Sequence, residues 1–170
     1  MRDAITDAAA RVLVRDGLAG WSVDRVALEA GCAKGLVHYH HGTKRELLQR
    51  VATSLAAARQ AHRVTALTSA GAAALDRLWL ALVREVRSGE FAAWCAIAAA
   101  PKIEGPPSRA TDSEALAAAV ARALDLAPWD PARAILLPAA LDGLQLALLL
   151  GAPESQVRES YHLLWLTLLP

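Results

Sequence analysis

The sequence predicts an all-α protein, and three observations lead to that prediction. Apolar residues recur at three- to four-residue spacing through most of the chain, as they do along one face of a helix. The hydrophobic fraction is 55% and comes mostly from Ala and Leu, which are strong helix formers. No stretch alternates apolar and polar residues over the length of a strand. We therefore predict about nine helices in two domains, a small N-terminal one and a larger helical one.

The first two helices have clear starting and stopping signals. The first carries apolar residues from Ile5 to Leu13 at helical spacing, and Gly17 is predicted to end it. Ser22 then precedes an acidic first turn, which makes it a good N-cap for a second helix. Gly31 follows only nine residues later, so this second helix is predicted to be short.

A third short helix is predicted at about residues 33–39, followed by a much longer one. Thr43 and Glu46 have the three-residue spacing of a capping box, which opens the fourth helix. The apolar stripe of that helix extends through Val51 and Leu55, and the helix is predicted to end near Leu67.

The rest of the chain remains helical by pattern. The clearest loop is the Pro- and Gly-rich stretch at residues 101–107. The segment 134–150 is the most membrane-like, but Pro138 and Asp142 interrupt it, and a buried helix is predicted instead of a membrane span. Further helices are predicted at residues 71–87, 90–100, about 113–126, 131–150 and 154–168.

Charge and cysteine content bear on nucleic-acid binding and on the compartment in which the protein works. The net charge is +1, and residues 1–50 hold a surplus of only two cations, so binding to nucleic acid has to be argued from motif geometry. Cys32 and Cys95 have no CxxC spacing and follow no signal peptide, which predicts free thiols in a reducing cytoplasm. The pattern calls for no cofactor and no metal.

Residues 21–42 have the layout of a helix-turn-helix. A short capped helix, a turn at Ala30-Gly31-Cys32 and a second short helix follow one another closely. In this motif the first helix crosses the phosphate backbone and the second places its N-terminal residues in the major groove. Ala27 and Gly31 are small where the two helices have to approach each other.

The segment from Ile5 to Leu48 resembles the DNA-binding domain of the tetracycline-repressor (TetR) family. The resemblance covers about 45 residues with the correct spacing, at the N-terminus of a chain whose remainder is helical. The matching positions are Ile5, Ala8, Ala9, Val12-Leu13, Gly17, Ser22, Val26-Ala27, Ala30-Gly31-Cys32-Ala33, Gly35, Val37, His40, Gly42-Thr43-Lys44 and Leu47.

The resemblance implies a DNA-binding transcriptional regulator, a ligand-responsive repressor that binds a palindromic operator as a homodimer. Its domains would be a helix-turn-helix domain at residues 1–46 and an effector-binding and dimerisation domain at residues 47–170. Ser22 and Lys44 would contact phosphate, and Gly35 would permit close approach. The full set of implied DNA-contacting residues is Ser22, Lys34, Gly35, Leu36, Val37, His38, Tyr39, His40 and Lys44, of which Lys34, Leu36 and Val37 would face bases.

Two departures from the family pattern keep an alternative open. The family usually has Tyr where His38 stands and Phe where His41 stands. His38 can still donate to phosphate, whereas His41 replaces a core aromatic and is titratable near neutral pH. The alternative is a dimeric helical interaction protein that has lost specific DNA binding.

The second domain is predicted to hold an effector and a dimer interface. By resemblance, a cavity lined by apolar residues and a few polar groups would bind a small apolar or amphipathic molecule. Asp142 needs a partner, exposure or a ligand because it lies in a strongly apolar helix. The last two helices carry more Leu than one domain covers, which predicts dimerisation through them. The candidate effector residues are Trp79, Arg84, Trp94, Cys95, Asp142 and Gln145.

Catalytic and metal-binding readings receive little support. The chain has no Gly-rich phosphate loop, no G-x-S-x-G and no HExxH, so no enzyme is predicted. Adjacent histidines at positions 40 and 41 cannot converge on one ion from a short helix. Cys32 and Cys95 are interpreted as small apolar fillers, with redox sensing as the alternative.

Overall fold

A computed structural model of the protein describes residues 1–100 and 109–168, and all of their regular structure is helical. The prediction of an all-α fold is confirmed. The loop predicted at residues 101–107 lies outside the described residues. The described helices are α1 (Arg2–Gly20), α2 (Val23–Glu29), α3 (Lys34–His41), α4 (Lys44–Ala66), α5 (Ala72–Arg87), α6 (Glu90–Ala98), α7 (Arg109–Ala123), α8 (Pro131–Leu149) and α9 (Glu154–Leu168).

The predicted capping residues of α2 and α4 form the hydrogen bonds expected of them. Ser22 Oγ accepts a hydrogen bond from the Arg25 amide at 3.3 Å, so it caps α2. The Thr43 amide donates to Glu46 Oε2 at 2.7 Å and the Glu46 amide donates to Thr43 Oγ1 at 3.2 Å, which completes the capping box of α4. These hydrogen bonds hold the pKa of the Glu46 carboxyl below its usual range.

Two glycines shape the N-terminal helices. Gly17 has φ 66° and ψ 177°, so it breaks the helical path inside α1 where the sequence predicts an end, and the chain then forms one more turn to Gly20. Gly31 has φ 64°, a left-handed conformation that glycine adopts without a Cβ clash. It forms the turn between α2 and α3.

The described residues form two compact units. Unit 1 comprises Met1–Ala58 and Ser88–Pro107, and unit 2 comprises Arg59–Arg87 and Ser108–Pro170. Helix α4 therefore begins in unit 1 and ends in unit 2, and α6 belongs to unit 1. Compact units need not coincide with functional domains, so the boundary after residue 46 stays a prediction.

The core of unit 1 unites α1, α2, α3, the first half of α4 and α6. The Trp21 indole is buried in it and donates to the Ala9 carbonyl at 2.9 Å, which ties the start of α2 to α1. The members of this core with at most 2% exposure are Ile5, Ala9, Val12, Leu13, Trp21, Val26, Val37, Leu47, Val51, Ala52 and Ile97.

The core of unit 2 is built from the end of α4 with α5, α7, α8 and α9. In its aromatic part the Tyr161 ring contacts two tryptophans: it is tilted against Trp79, with centroids 5.2 Å apart, and meets Trp165 edge to face at 5.7 Å. The Tyr161 hydroxyl donates to the Leu75 carbonyl at 2.7 Å. Burial raises the pKa of Tyr161, so this hydroxyl stays protonated as a hydrogen-bond donor.

Helix α8 begins at Pro131 behind an Asp130 cap, whose Oδ1 accepts from the Arg133 amide at 3.0 Å. By length and composition alone, Pro131–Leu149 could cross a membrane, but only 22% of its most apolar window is buried inside the chain. The prediction of a buried helix holds for one face of α8, where Ala134, Leu137, Leu141 and Gln145 are buried. Its outer face leaves apolar side chains uncovered.

Candidate nucleic-acid interface

Helix α3 presents one polar face to solvent and one apolar face to the core of unit 1. Lys34, Gly35, His38 and Tyr39 are exposed, and Tyr39 is 83% exposed. Because residues four apart share a face, Val37 and His41 both point inward. Val37 is 2% exposed and packs in the core, so the prediction that Val37 faces base edges is wrong. Its role is to hold α3 in place.

The other α3 residues predicted to touch DNA lie at or near the surface. Leu36 and His40 are half-buried at the edges of the exposed face. A Cβ added at Gly35 would meet no protein atom within 4 Å, so nothing inside the protein requires glycine there. This open space is compatible with close approach of a partner's backbone.

The imidazole of His38 is oriented by its own helix end. Its Nδ1 lies 2.9 Å from the Gly42 carbonyl, and a carbonyl only accepts, so Nδ1 carries the hydrogen and donates. Nε2 is then the ring atom left for a partner outside the helix. The neighbouring Tyr39 and His40 rings meet edge to face with centroids 5.2 Å apart.

The cations around α3 differ in what they touch. Lys44 Nζ donates to the Trp21 carbonyl at 3.3 Å and lies 5.4 Å from the centre of the Trp21 ring, so both of these neighbours are uncharged. Lys34 Nζ instead donates to an Asp24 carboxylate oxygen at 2.9 Å. Sequence reasoning noted Asp24 only as an acidic residue of the first turn, and nothing in the sequence signals its pairing across ten residues.

Three arginines of α1 and α2 (Arg11, Arg15 and Arg25) pair with carboxylates. Glu29 accepts from Arg11 and Arg15, and Asp16 accepts from Arg15 and Arg25, at distances of 2.8–3.2 Å. The guanidinium groups hold the pKa values of both carboxyl groups below their usual range, and these carboxylates raise the pKa of Arg15. This network of ion pairs joins α2 to α1. Lys34 and Lys44 lie outside it.

His41 occupies a buried position where the resemblance expects an aromatic ring. It is 3% exposed, its Nε2 lies 3.1 Å from the Arg2 carbonyl, and its Nδ1 is buried without a hydrogen-bond partner. Burial lowers the pKa of the His41 imidazole, the hydrogen bond to the Arg2 carbonyl partly opposes it, and the nearby charges of Arg50, Arg2 and His40 lower the pKa further. The neutral ring therefore packs much as an aromatic side chain does.

The candidate effector residues are divided between the two units. Trp94 and Cys95 lie on α6 in unit 1, with Trp94 buried and Cys95 half-buried. Trp79, Asp142 and Gln145 lie in unit 2, where the first and third are buried. Arg84 is exposed and hydrogen-bonds the His62 ring at 2.6 Å, so the prediction that it lines a buried site is wrong. Its neighbour Glu85 points inward instead.

Unit 2 contains a buried charge network that the sequence analysis did not identify. Arg59 Nε donates to Glu85 Oε2 at 3.1 Å, and Arg59 Nη2 donates to Asp142 Oδ1 at 2.9 Å. Arg63 Nη2 donates to Asp142 Oδ1 and to Gln145 Oε1, both at 2.7 Å. Gln145 Nε2 donates to Glu85 Oε2 at 2.9 Å and to the Leu82 carbonyl at 3.0 Å. Asp142 thus has two cationic partners.

A signal for this network exists in the sequence. Arg59 and Arg63 continue, at four-residue spacing, the apolar stripe of Val51 and Leu55 along α4. Cations in line with a core face require buried partners, which predicts acidic or amide side chains opposite them. Only the fold identifies those partners as Glu85 on α5 and Gln145 on α8.

Comparison with known families and structures agrees with this geometry. The family model described as bacterial regulatory proteins, tetR family, matches residues 5–51. No curated protein matches the chain. The multidrug binding protein EbrR complexed with ethidium is 29% identical, with 99% of this chain and 98% of that chain covered and a TM-score of 0.70.

Two further solved structures are similar over nearly the whole chain. A member of the TetR family from Streptomyces coelicolor A3 is 29% identical, with 99% of this chain and 98% of that chain covered and a TM-score of 0.66. EbrR complexed with malachite green is 26% identical, with 100% and 98% covered and a TM-score of 0.68. The match of residues 5–51 contains α2, the turn and α3.

Proposed function

This chain is a DNA-binding transcriptional regulator of the tetR family, and from that premise we propose that it binds a palindromic operator as a homodimer and responds to a small ligand. Repression is the proposed direction of regulation, and the cytoplasm, where the DNA lies, is the proposed location. The observation that carries the proposal is the exposed face of α3. It joins Lys34, Gly35, His38 and Tyr39 beside the cation of Lys44.

We propose that α3 enters the major groove and that its neighbours contact the backbone. Lys34 and Leu36 would reach base edges, and Gly35 would allow close approach. Ser22, Tyr39, His40 and Lys44 would contact phosphates. His38 would donate to a phosphate through Nε2 only with hydrogen on both ring nitrogens, because Nδ1 already donates to the Gly42 carbonyl. Ser22 keeps its O–H for phosphate while its oxygen accepts from the Arg25 amide.

Replacing Lys44 by glutamine is expected to weaken binding to every DNA sequence, because the change removes one phosphate contact. The salt dependence of log K should become shallower by about 0.9. The measurement is fluorescence anisotropy on the DNA upstream of the gene for this chain, against a scrambled duplex, at several salt concentrations. Arg122→Gln, an exposed cation of α7, is the matched control.

Comparison with the scrambled duplex distinguishes base contacts, which depend on sequence, from phosphate contacts, which do not. Loss of preference for the operator over the scrambled duplex is expected for changes at Lys34, not at Lys44. If neither upstream DNA nor a genome-wide operator selection shows preference, the departures at His38 and His41 have abolished specific readout. The dimeric interaction protein would then be the better description.

We propose that α8 and α9 form the dimer interface. Seven large apolar side chains on or next to these helices are at least 37% exposed, and no part of the chain that the structure describes covers them. In a homodimer the same faces would pack as a four-helix bundle, which also sets two α3 helices at the spacing of a palindromic site. The side chains are Ile135, Leu136, Leu146, Leu149, Leu150, Leu163 and Leu166.

Placing glutamate at both Leu163 and Leu166 is expected to convert the protein into a monomer. Each leucine is more than 60% exposed in one copy, so the changes cost little in the monomer but bury two charges in the dimer. Sedimentation velocity measures the mass. Leu80→Glu, which alters a leucine on α5 with 64% exposure, should leave the dimer intact. A double variant that sediments as a dimer would exclude this interface.

We propose that the effector is a flat aromatic cation bound in unit 2. The similar protein EbrR was solved with ethidium and with malachite green. Unit 2 contains a buried cluster of three aromatic rings, Trp79, Tyr161 and Trp165, and the buried Glu85 carboxylate. Aromatic rings and a carboxylate together suit such a cation. The cation has to compete with Arg59, whose Nε already lies 3.1 Å from Glu85.

Ethidium titrated into the protein without DNA tests this proposal, because ethidium itself intercalates into DNA. We expect saturable binding by calorimetry and a raised midpoint of thermal unfolding. Trp79→Leu should weaken binding, and Trp94→Leu, a similarly buried tryptophan of unit 1, tests whether α6 contributes. The absence of binding to either dye would exclude this ligand class and leave DNA binding unaffected.

A further inference from the structure

The cation at the start of α3 is held by a carboxylate from α2. Lys34 is the first residue of α3, and its ammonium donates to Asp24 at 2.9 Å. Both side chains are more than half exposed, at 54% and 68%, so the pair lies at the surface. Ala33, the N-cap of α3, has no capping side chain, and the first turn of α3 contains no acid. Asp24 is thus the carboxylate that neutralises Lys34.

The two lysines proposed to meet DNA therefore start from different states. To reach a phosphate, the Lys44 ammonium gives up its contacts with the carbonyl and the indole ring of Trp21, both of which are uncharged. Lys34 has to leave the Asp24 carboxylate before it can reach a base edge. The Asp24 carboxylate then remains on the first turn of α2, next to the DNA backbone that α2 is proposed to cross.

We propose that Asp24 is a positioning residue that limits the affinity of the protein for DNA by pairing with Lys34 in the free state and by remaining beside the phosphates in the bound state. This inference rests on the proposed placement of Lys34 at the DNA. In net charge the pair contributes nothing to the field that attracts DNA. The base contact made by Lys34 then adds sequence preference without adding non-specific affinity.

The consequence is sequence-independent. A phosphate contact strengthens binding to any duplex, because it releases a condensed counterion wherever the protein lies. With its carboxylate beside the phosphates, Asp24 offsets about one such contribution at every site alike. It reduces the time that the protein spends on the rest of the chromosome.

Asp24→Asn is expected to tighten binding to a duplex of mixed sequence, about 30 base pairs long. An exposed ion pair is weak, so the gain should be up to about fivefold at about 50 mM salt. Because one more counterion is released, the ratio of the two affinities should fall about 3.5-fold between about 50 and 200 mM salt. Anisotropy of the labelled duplex measures both quantities.

A double-variant cycle separates pairing from general charge. In the Lys34→Gln background, Asp24→Asn should have a smaller effect, because the partner that it releases is gone. Glu114→Gln, which removes the same charge from an exposed site on α7, should change the affinity less than Asp24→Asn does.

Each other outcome counts against the inference in a distinct way. Equal affinities of Asp24→Asn and the wild type, with DNA bound by both, overturn the role of Asp24 and leave the proposed function standing. Strictly additive effects of the two changes overturn the pairing and leave only a charge effect. If no variant binds the duplex at low salt, the placement of Lys34 at DNA fails, and the inference fails with it.

Discussion

Replacing Glu85 by alanine is expected to destabilise unit 2 by about 3–5 kcal/mol, which is the cost of leaving buried charges without their partner. Glu85 has no exposed surface, and its Oε2 lies 3.1 Å from Arg59 Nε and 3.8 Å from Arg63 Nη2. Without it, two guanidinium groups share Asp142 as their anionic partner within this network, and that carboxylate is 40% exposed.

The hydrogen bonds of Gln145 add to this cost. Its amide nitrogen donates to Glu85 Oε2 at 2.9 Å, and its oxygen accepts from both arginines. Removing Glu85 therefore weakens a connected set of bonds at the meeting point of α4, α5 and α8. Buried networks of this kind lose more than one pair's energy when a member is deleted.

Urea unfolding followed by circular dichroism measures the effect. Asp76→Ala is the matched control, because Asp76 pairs with Arg158 in the same unit at 3.3 Å but both side chains are at least half exposed. That change should cost no more than about 1 kcal/mol. Glu85→Gln, which keeps the shape and removes the charge, should lie between the two. Equal losses for Glu85→Ala and Asp76→Ala would show that water reaches the network.

Acidification is expected to destabilise unit 1 through His41, and His41→Phe is expected to abolish most of that loss. Burial places the pKa of the folded imidazole below its ordinary value of about 6.5. The unfolded chain then binds a proton at higher pH than the folded one. Stability from the neutral ring is therefore fully present above the unfolded pKa and is lost as the pH falls through the folded pKa.

Two opposing effects act on the His41 proton. His41 lies in the last turn of α3, where the helix dipole favours a cation by about 0.3–1 kcal/mol. A proton on Nδ1 would, however, stand in the core without an acceptor, which costs about 1–3 kcal/mol. Because the second term is larger, the folded state resists protonation.

Unfolding in urea at about pH 7.5 and about pH 5.5 tests this prediction. The wild type should lose more stability on acidification than His41→Phe does. His41→Leu, which is also neutral but differs in shape, should reduce the pH dependence to the same extent even if its absolute stability differs. If the wild type and His41→Phe lose the same free energy of unfolding on acidification, other titratable groups cause the acid sensitivity.

Much of the fold could be predicted because its signals are local. Ser22 and the Thr43–Glu46 pair cap their helices within three residues, so their sequence neighbourhood suffices. The helix-turn-helix and the resemblance to the tetR family were predicted from spacing across residues 5–48, and a model of that family matches residues 5–51. The ends of helices were accurate to within a few residues for the same reason.

The errors share a different cause. Val37 and Arg84 each lie one helical position from a residue with the opposite exposure, His38 and Glu85. A step of one residue rotates a side chain by about 100°, so periodicity in a short or uniformly apolar helix does not identify its inner face. Packing against neighbouring helices does.

The sequence by itself determined the helices, their caps, the helix-turn-helix and the family, because each depends on residues close together in the chain or on spacing within one segment. Only the tertiary structure decided which side chains are buried and which charges meet. The pairing of Lys34 with Asp24, of Arg59 with Glu85 and of Asp142 with two arginines joins separate helices. Such pairs form only where the fold brings two side chains within a few ångströms, because hydrogen bonds and ion pairs weaken steeply with distance. Nothing periodic in the sequence marks which side chains will meet.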